Sequence, residues 1–136
     1  LLQEGDIVLT DSLPYHFKPV RRFDVVAFRD ASGSRTYIRR VIGLPGETVQ
    51  IRGGHIYING SLIAHSDEMD LYTVAGVAEN PVVLKSDEYF LLGDDETSSQ
   101  DSRFSSVGNV SRKQIIGRIW FRIAPVKTLG MISGGY

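Results

Sequence analysis

The chain has 136 residues, 42% of them hydrophobic and 23% charged, with a formal net charge of -1. That is the balance of one globular domain, and its near-neutral charge excludes a nucleic-acid module running on phosphate attraction. Cysteine is absent, which rules out disulfides and thiolate metal sites.

The three histidines, His16, His55 and His65, lack ligand spacing and read as loop or strand-edge residues, so neither metal nor cofactor is expected. No apolar run reaches the roughly 18 residues that span a bilayer. The chain opens on Leu1-Leu2-Gln3-Glu4-Gly5-Asp6 without an initiator Met and reads as part of a longer protein whose N-terminal anchor lies elsewhere.

In chain order, short β-rich runs alternate with Gly, Pro and Asp. Residues 6–10 form the first expected strand, and 23–29 the second. Within the latter, Val25, Val26, Ala27 and Phe28 are continuously apolar, as in a strand buried on both faces. Residues 35–42 alternate polar and apolar and make the third; Pro45-Gly46 turns the chain into 48–51. Residues 55–58 and 61–64 flank Asn59-Gly60, the strongest short hairpin signal, because a type I′ turn needs positive φ at both central residues. Residues 65–80 are polar and acidic and read as a surface excursion. Strands follow at 82–84, 88–92 and 115–123, with one helical turn at 111–114 signalled by Ser111 and Gln114. The expected fold class is all-β.

Four segments resemble signal peptidase I, in the order of that family's motifs. Leu2-Gln3-Glu4-Gly5-Asp6-Ile7-Val8 resembles the stretch after its Ser-Met-x-Pro-Thr nucleophile motif. Arg22-Phe23-Asp24-Val25-Val26-Ala27-Phe28 resembles Arg-Gly-Asp-Ile-Val-Val-Phe, with Phe23 in place of Gly. The run from Tyr37 to Gly46, Tyr-Ile-Arg-Arg-Val-Ile-Gly-Leu-Pro-Gly, resembles Tyr-Ile-Lys-Arg-Val-Ile-Gly-Leu-Pro-Gly. The run from Gly93 to Arg103 resembles Gly-Asp-Asn-Arg-x-x-Ser-x-Asp-Ser-Arg. Taken singly, Gly-Leu-Pro-Gly is a turn and Asp-Ser-Arg a polar loop. The ordered set carries the resemblance. Self-cleaving repressor-type serine proteases share the chemistry but lack the third and fourth blocks.

The resemblance implies an antiparallel β-sheet or partial-barrel core spanning residues 1–136, with a small β-hairpin cap inserted at 52–88. It implies a serine endopeptidase using a Ser–Lys dyad, placed on the extracytoplasmic face of the bacterial cytoplasmic membrane and cleaving signal peptides after Ala-x-Ala-like sites. In such a dyad a lysine takes the serine's proton, which requires an amine that can be neutral. Arg39 stands at the lysine position, and a guanidinium cannot be deprotonated in a protein. The nucleophile would precede Leu1, which matches the motif's Thr. Ser99 matches the serine that orients the base. Asp101 and Arg103 match residues bracing that loop, and Arg40 with Asp94 match an ion pair near the site; as plain surface charges these four would do little.

The expected partner is a signal peptide laid as an extended strand beside residues 36–39, from Thr36 to Arg39. Leu2, Tyr37 and Ile38 match the first pocket and Val8 and Ala27 the second, although Val8 and Ala27 fit simple core packing equally well. Contact with a membrane surface is implied too, with Trp120 and residues 129–132 as apolar candidates. Two readings stay open: a peptidase disabled at Arg39, natively or by substitution, and a non-catalytic pseudoenzyme that binds exported or surface proteins as an assembly factor.

Overall fold

A computed structural model describes residues 19–63, 72, 74–94 and 100–119 in full, and the backbone alone of 7–12, 120 and 121. These residues form antiparallel strands β1 (Ile7–Ser12), β2 (Val25–Arg29), β3 (Thr36–Gly43), β4 (Thr48–Arg52), β5 (His55–Ile58), β6 (Ser61–Leu62), β7 (Val82–Val83), β8 (Glu88–Leu92), β9 (Val110–Ser111) and β10 (Ile115–Phe121). The helical content described is two short 3-10 turns, Gly76–Glu79 and Arg112–Gln114. The all-β expectation is borne out.

One sheet of six strands runs β1-β10-β2-β3-β8-β9, and a second of four runs β6-β5-β4-β7. The second is hung between β3 and β8 and holds the hairpin expected around Asn59-Gly60. Both turn residues have positive φ, 53° and 87°, as a type I′ turn demands.

The apolar run of β2 is explained by its central place between β10 and β3. Val25 and Ala27 pack on one face with Ile119, Ile38 and Ile116. Val26 and Phe28 pack on the other with Val20, Val41, Leu91, Val110 and Ile115. Between the two sheets lies a further core, where Ile42, Phe90 and Leu92 of the large sheet meet Val49, Ile51, Ile56 and Ile58 of the small one. Close approach there depends on Gly43. A Cβ at that position would lie 2.6 Å from Val49 Cγ2 and 2.9 Å from Leu84 Cδ1, well inside contact distance.

Two turns position β3. Leu44-Pro45-Gly46-Glu47 closes with Glu47 N–H on the Leu44 carbonyl, and Gly46 takes φ 84° as the third residue of a type II turn must. At the entry to β2, Asp24 N–H donates to the Arg21 carbonyl, Phe23 N–H to Val41 O and Val41 N–H to Asp24 O. This is a G1 bulge, whose first residue sits in the left-handed region and is ordinarily Gly. Here it is Phe23, at φ 74°.

The 3-10 turn at Arg112–Gln114 falls where Ser111 and Gln114 predicted one. Gln114 Oε1 accepts the Ser111 N–H at 2.9 Å, and its Nε2 reaches across to the Arg29 carbonyl. Within the expected surface excursion, Tyr72 and Ala78 are buried, so that segment also feeds the core.

Candidate functional site

Strand β3 carries the site, and alternation divides its side chains. Arg39 pairs with Val26 across the ladder and shares a face with Tyr37 and Val41; Arg40 pairs with Val25 and shares the opposite face with Ile38 and Ile42. Adjacent arginines therefore serve different surroundings.

Arg39 leans over the Tyr37 ring at 5.3 Å from its centroid. Its Nε donates to the Gln100 carbonyl at 2.9 Å, and Nη1 to the Ile38 carbonyl at 2.7 Å. Ser99 lies outside the described residues, but its neighbour Gln100 is in direct contact with Arg39, the residue expected at the base position.

Arg40 grips Asp94 in a two-pronged pair, Nε to Oδ1 at 2.8 Å and Nη2 to Oδ2 at 2.9 Å. Its Nη1 donates to the Phe23 carbonyl at 2.9 Å, so the strained bulge aims a backbone acceptor at this guanidinium. The parallel fork fixes orientation as well as distance. It also ties the end of β8 to the start of β2.

Asp101 and Arg103 are fully buried, at 0% exposure. Arg103 Nε lies 3.0 and 3.2 Å from the two Asp101 oxygens, and Nη2 donates to Oδ2 at 3.0 Å. Asp101 also accepts the N–H groups of Arg103 and Gly93. Arg103 Nη1 reaches the Val74 carbonyl, and the guanidinium lies over Tyr72 and Phe104 at 4.9 and 5.0 Å. A surface loop brace would look different: this pair is an interior strut. Gly76 allows the strut to close, since any Cβ there would run into the Arg103 carbonyl.

Among the residues expected to line the substrate pockets, Ala27 and Ile38 are cross-strand partners on one face. Tyr37 lies on the other face, against Phe28 at 5.6 Å between centroids. Thr36 opens β3 and is exposed. Val8 is described by backbone alone, opposite Trp120 in the β1–β10 ladder. Leu2 lies outside the described residues, as do Asp95, Glu96, His16, His65 and 129–132. His55 opens β5 half-buried, and its Nδ1 has no hydrogen-bond partner. Among the described residues no cluster of His, Cys, Asp and Glu is placed to hold a metal ion, and no helix is long and apolar enough to cross a membrane.

Three contributors escaped the sequence. Glu47 clamps Arg22 through two oxygens at 2.7 and 2.9 Å and accepts the Leu44 N–H, fixing the turn that follows β3. Tyr72 donates its hydroxyl to the Gly93 carbonyl at 2.6 Å. A lone aromatic inside an acidic stretch was the available signal for Tyr72. Gln100 acts through its backbone, which leaves no sequence signal.

Residues 1–124 match the family model described as signal peptidase, peptidase S26. The chain is 36% identical over 140 residues to a signal peptidase I of Leptolyngbya laminosa, covering 97% of this chain and 66% of that protein. It is 29% identical over 138 residues to a probable signal peptidase I-2 of Synechocystis sp., covering 97% of this chain and 61% of that protein. It thus spans less than two thirds of the length of either relative. The crystal structure of a signal peptidase I from Enterococcus faecalis V583 matches with a TM-score of 0.59 at 30% identity, over 74% of this chain and 97% of that one. Matching motifs, an all-β antiparallel fold and these relatives agree, and the chain belongs to the signal peptidase family, peptidase S26.

Proposed function

We propose that this chain is the extracytoplasmic peptide-binding domain of a signal peptidase I-type serine endopeptidase, and that Arg39 leaves it unable to cleave. Residues 1–136 act as one domain with 52–88 as its cap, tethered by a preceding segment at the membrane surface. Its ligands are the signal peptides of exported proteins, bound as an extended strand along residues 36–39 of β3.

The observation that carries this reading is the place of Arg39. It occupies the family's base position on β3 and touches Gln100, the neighbour of the base-orienting Ser99. In the family's chemistry the base must accept a proton from a serine hydroxyl. A guanidinium only donates hydrogen bonds. Arg39 spends two of its nitrogens donating to carbonyls. The proton has nowhere to go, whereas residues 36–39 of β3 still present an edge along which a peptide can lie.

The test is a cleavage assay on a form of the protein carrying Ser-Met-x-Pro directly ahead of Leu1, which takes the motif's Thr position, with an Ala-x-Ala signal-peptide substrate. The unchanged protein binds without turnover, and Arg39→Lys gains cleavage, because an amine with a depressed pKa can take the hydroxyl proton. Turnover with Arg39 in place defeats the inactive reading. Failure of both forms to bind the peptide defeats the domain's assignment as a signal-peptide receptor.

A further inference from the structure

Residues 36–39 form a short open edge with one closed end. On the side away from β2, β8 pairs with Arg40, Val41 and Gly43 only, so no strand among the described residues covers residues 36–39 there. The ladder decides which backbone groups face that side. Val41 exchanges both its N–H and its carbonyl with the bulge at the start of β2, so Val41 faces β2. In an antiparallel strand alternate residues face the same neighbour. Tyr37 and Arg39 therefore also face β2, while Thr36, Ile38 and Arg40 face outward. Arg40 is opposite Leu92, the last residue of β8. A strand added along this edge meets the end of β8 at the level of Arg40 and must stop there or leave the sheet.

The Arg39 side chain lies across that closed end. Its Nη1 holds the outward-facing carbonyl of Ile38, the acceptor an added strand would use, and Nε holds the Gln100 carbonyl. Both acceptors are neutral. By contrast Arg22, Arg40, Arg103 and Arg118 each hold a carboxylate. Arg39 is thus a cation at the closed end of a peptide slot, with carbonyls where a carboxylate would bind more strongly.

We infer that the slot selects peptides ending in a free C-terminal carboxylate, bound parallel to β3 with that carboxylate on the Arg39 guanidinium. This rests on reading residues 36–39 as the peptide-binding edge. The selectivity follows from an exchange of acceptors. A carboxylate replacing the Ile38 carbonyl gains a charge-assisted bond and frees that carbonyl for the added strand. An amide terminus, or a chain continuing onward, offers only another neutral carbonyl and gains nothing. The preferred ligand is then the product of signal-peptide cleavage, a released peptide with an Ala-x-Ala end, in place of the uncut precursor.

Fluorescence anisotropy of one labelled Ala-x-Ala peptide tests this in three forms: free acid, C-terminal amide, and the same peptide extended by several residues. The acid is expected to bind about tenfold tighter than the other two, the difference between a charged and a neutral acceptor. Arg39→Gln, with an unchanged melting temperature, brings the acid down to the level of the amide. Equal binding of acid and amide by the unchanged protein overturns the inference while leaving the edge as a binding site. An acid preference that survives Arg39→Gln overturns the role of Arg39. If none of the three forms binds, the peptide-binding edge itself is wrong, and this inference falls with it.

Discussion

Phe23 and Val41 are joined by a backbone hydrogen bond of 2.7 Å that holds Phe23 in the left-handed region at φ 74°. A side chain there costs on the order of 1–2 kcal/mol. The compensation lies in the ring, which packs against the core between the two sheets. The carbonyl of the same residue receives Arg40 Nη1. Strain, packing and the Arg40–Asp94 pair therefore meet at one residue.

A reversal of the usual Ala–Gly order follows. In ordinary strands Gly is less stable than Ala by roughly 0.5–1 kcal/mol. At this position Ala keeps the backbone strain and loses the ring, whereas Gly loses the ring and the strain together. Phe23→Gly is expected to be more stable than Phe23→Ala by about 1 kcal/mol, read from urea midpoints at constant m-value. Ala equal to or better than Gly would show that the bulge relaxes when the ring is removed.

Glu47 sets part of the acid limit of the fold. The Arg22 guanidinium holds its carboxyl below the usual carboxylate range, against an opposing effect of burial and with help from the Leu44 N–H. A depressed folded value means the stabilisation is fully present above the unfolded value, near pH 4.3. It is lost as pH falls through the lower folded value. The pair is partly exposed, so solvent screening limits it to about 1 kcal/mol. Between pH 6 and pH 3 the unchanged protein should lose about that much more stability than Glu47→Gln. Parallel pH profiles for the two proteins would remove Glu47 from the acid transition.

Local patterns carried most of the fold. Four consecutive apolar residues in β2 announced a strand covered on both faces, and Asn59-Gly60 announced its turn, because both signals are set by a few adjacent residues. Long-range relations were less legible. The sequence marks Phe23 as standing where the family has Gly, but a bulge is defined by its partner, and Val41 is far along the chain. Gln100 meets Arg39 through a backbone carbonyl that any residue supplies. Asp101 and Arg103 look like surface charges because charge alone does not tell where a loop is tucked. Their burial depends on Tyr72, Val74 and Gly76, which arrive from the excursion beyond β6.

That burial makes the Asp101–Arg103 pair the most consequential charge pair described in the structure. Removing one partner of a fully buried ion pair strands the other, at a cost of roughly 3–5 kcal/mol. Asp101→Asn keeps the shape and part of the hydrogen bonding but removes the buried carboxylate that faces Arg103, so a loss in that range is expected from chemical denaturation. Arg103→Met strands Asp101 in turn. The double variant should lose less than the sum of the two, because no unpaired charge remains. A second readout separates the loop from global stability. Asp101 anchors the chain immediately after Gln100, so Asp101→Asn should loosen the Arg39–Gln100 contact and weaken peptide binding well below its melting temperature. Additive losses in the double variant would show that the two side chains act independently and that the strut is held by its backbone hydrogen bonds instead.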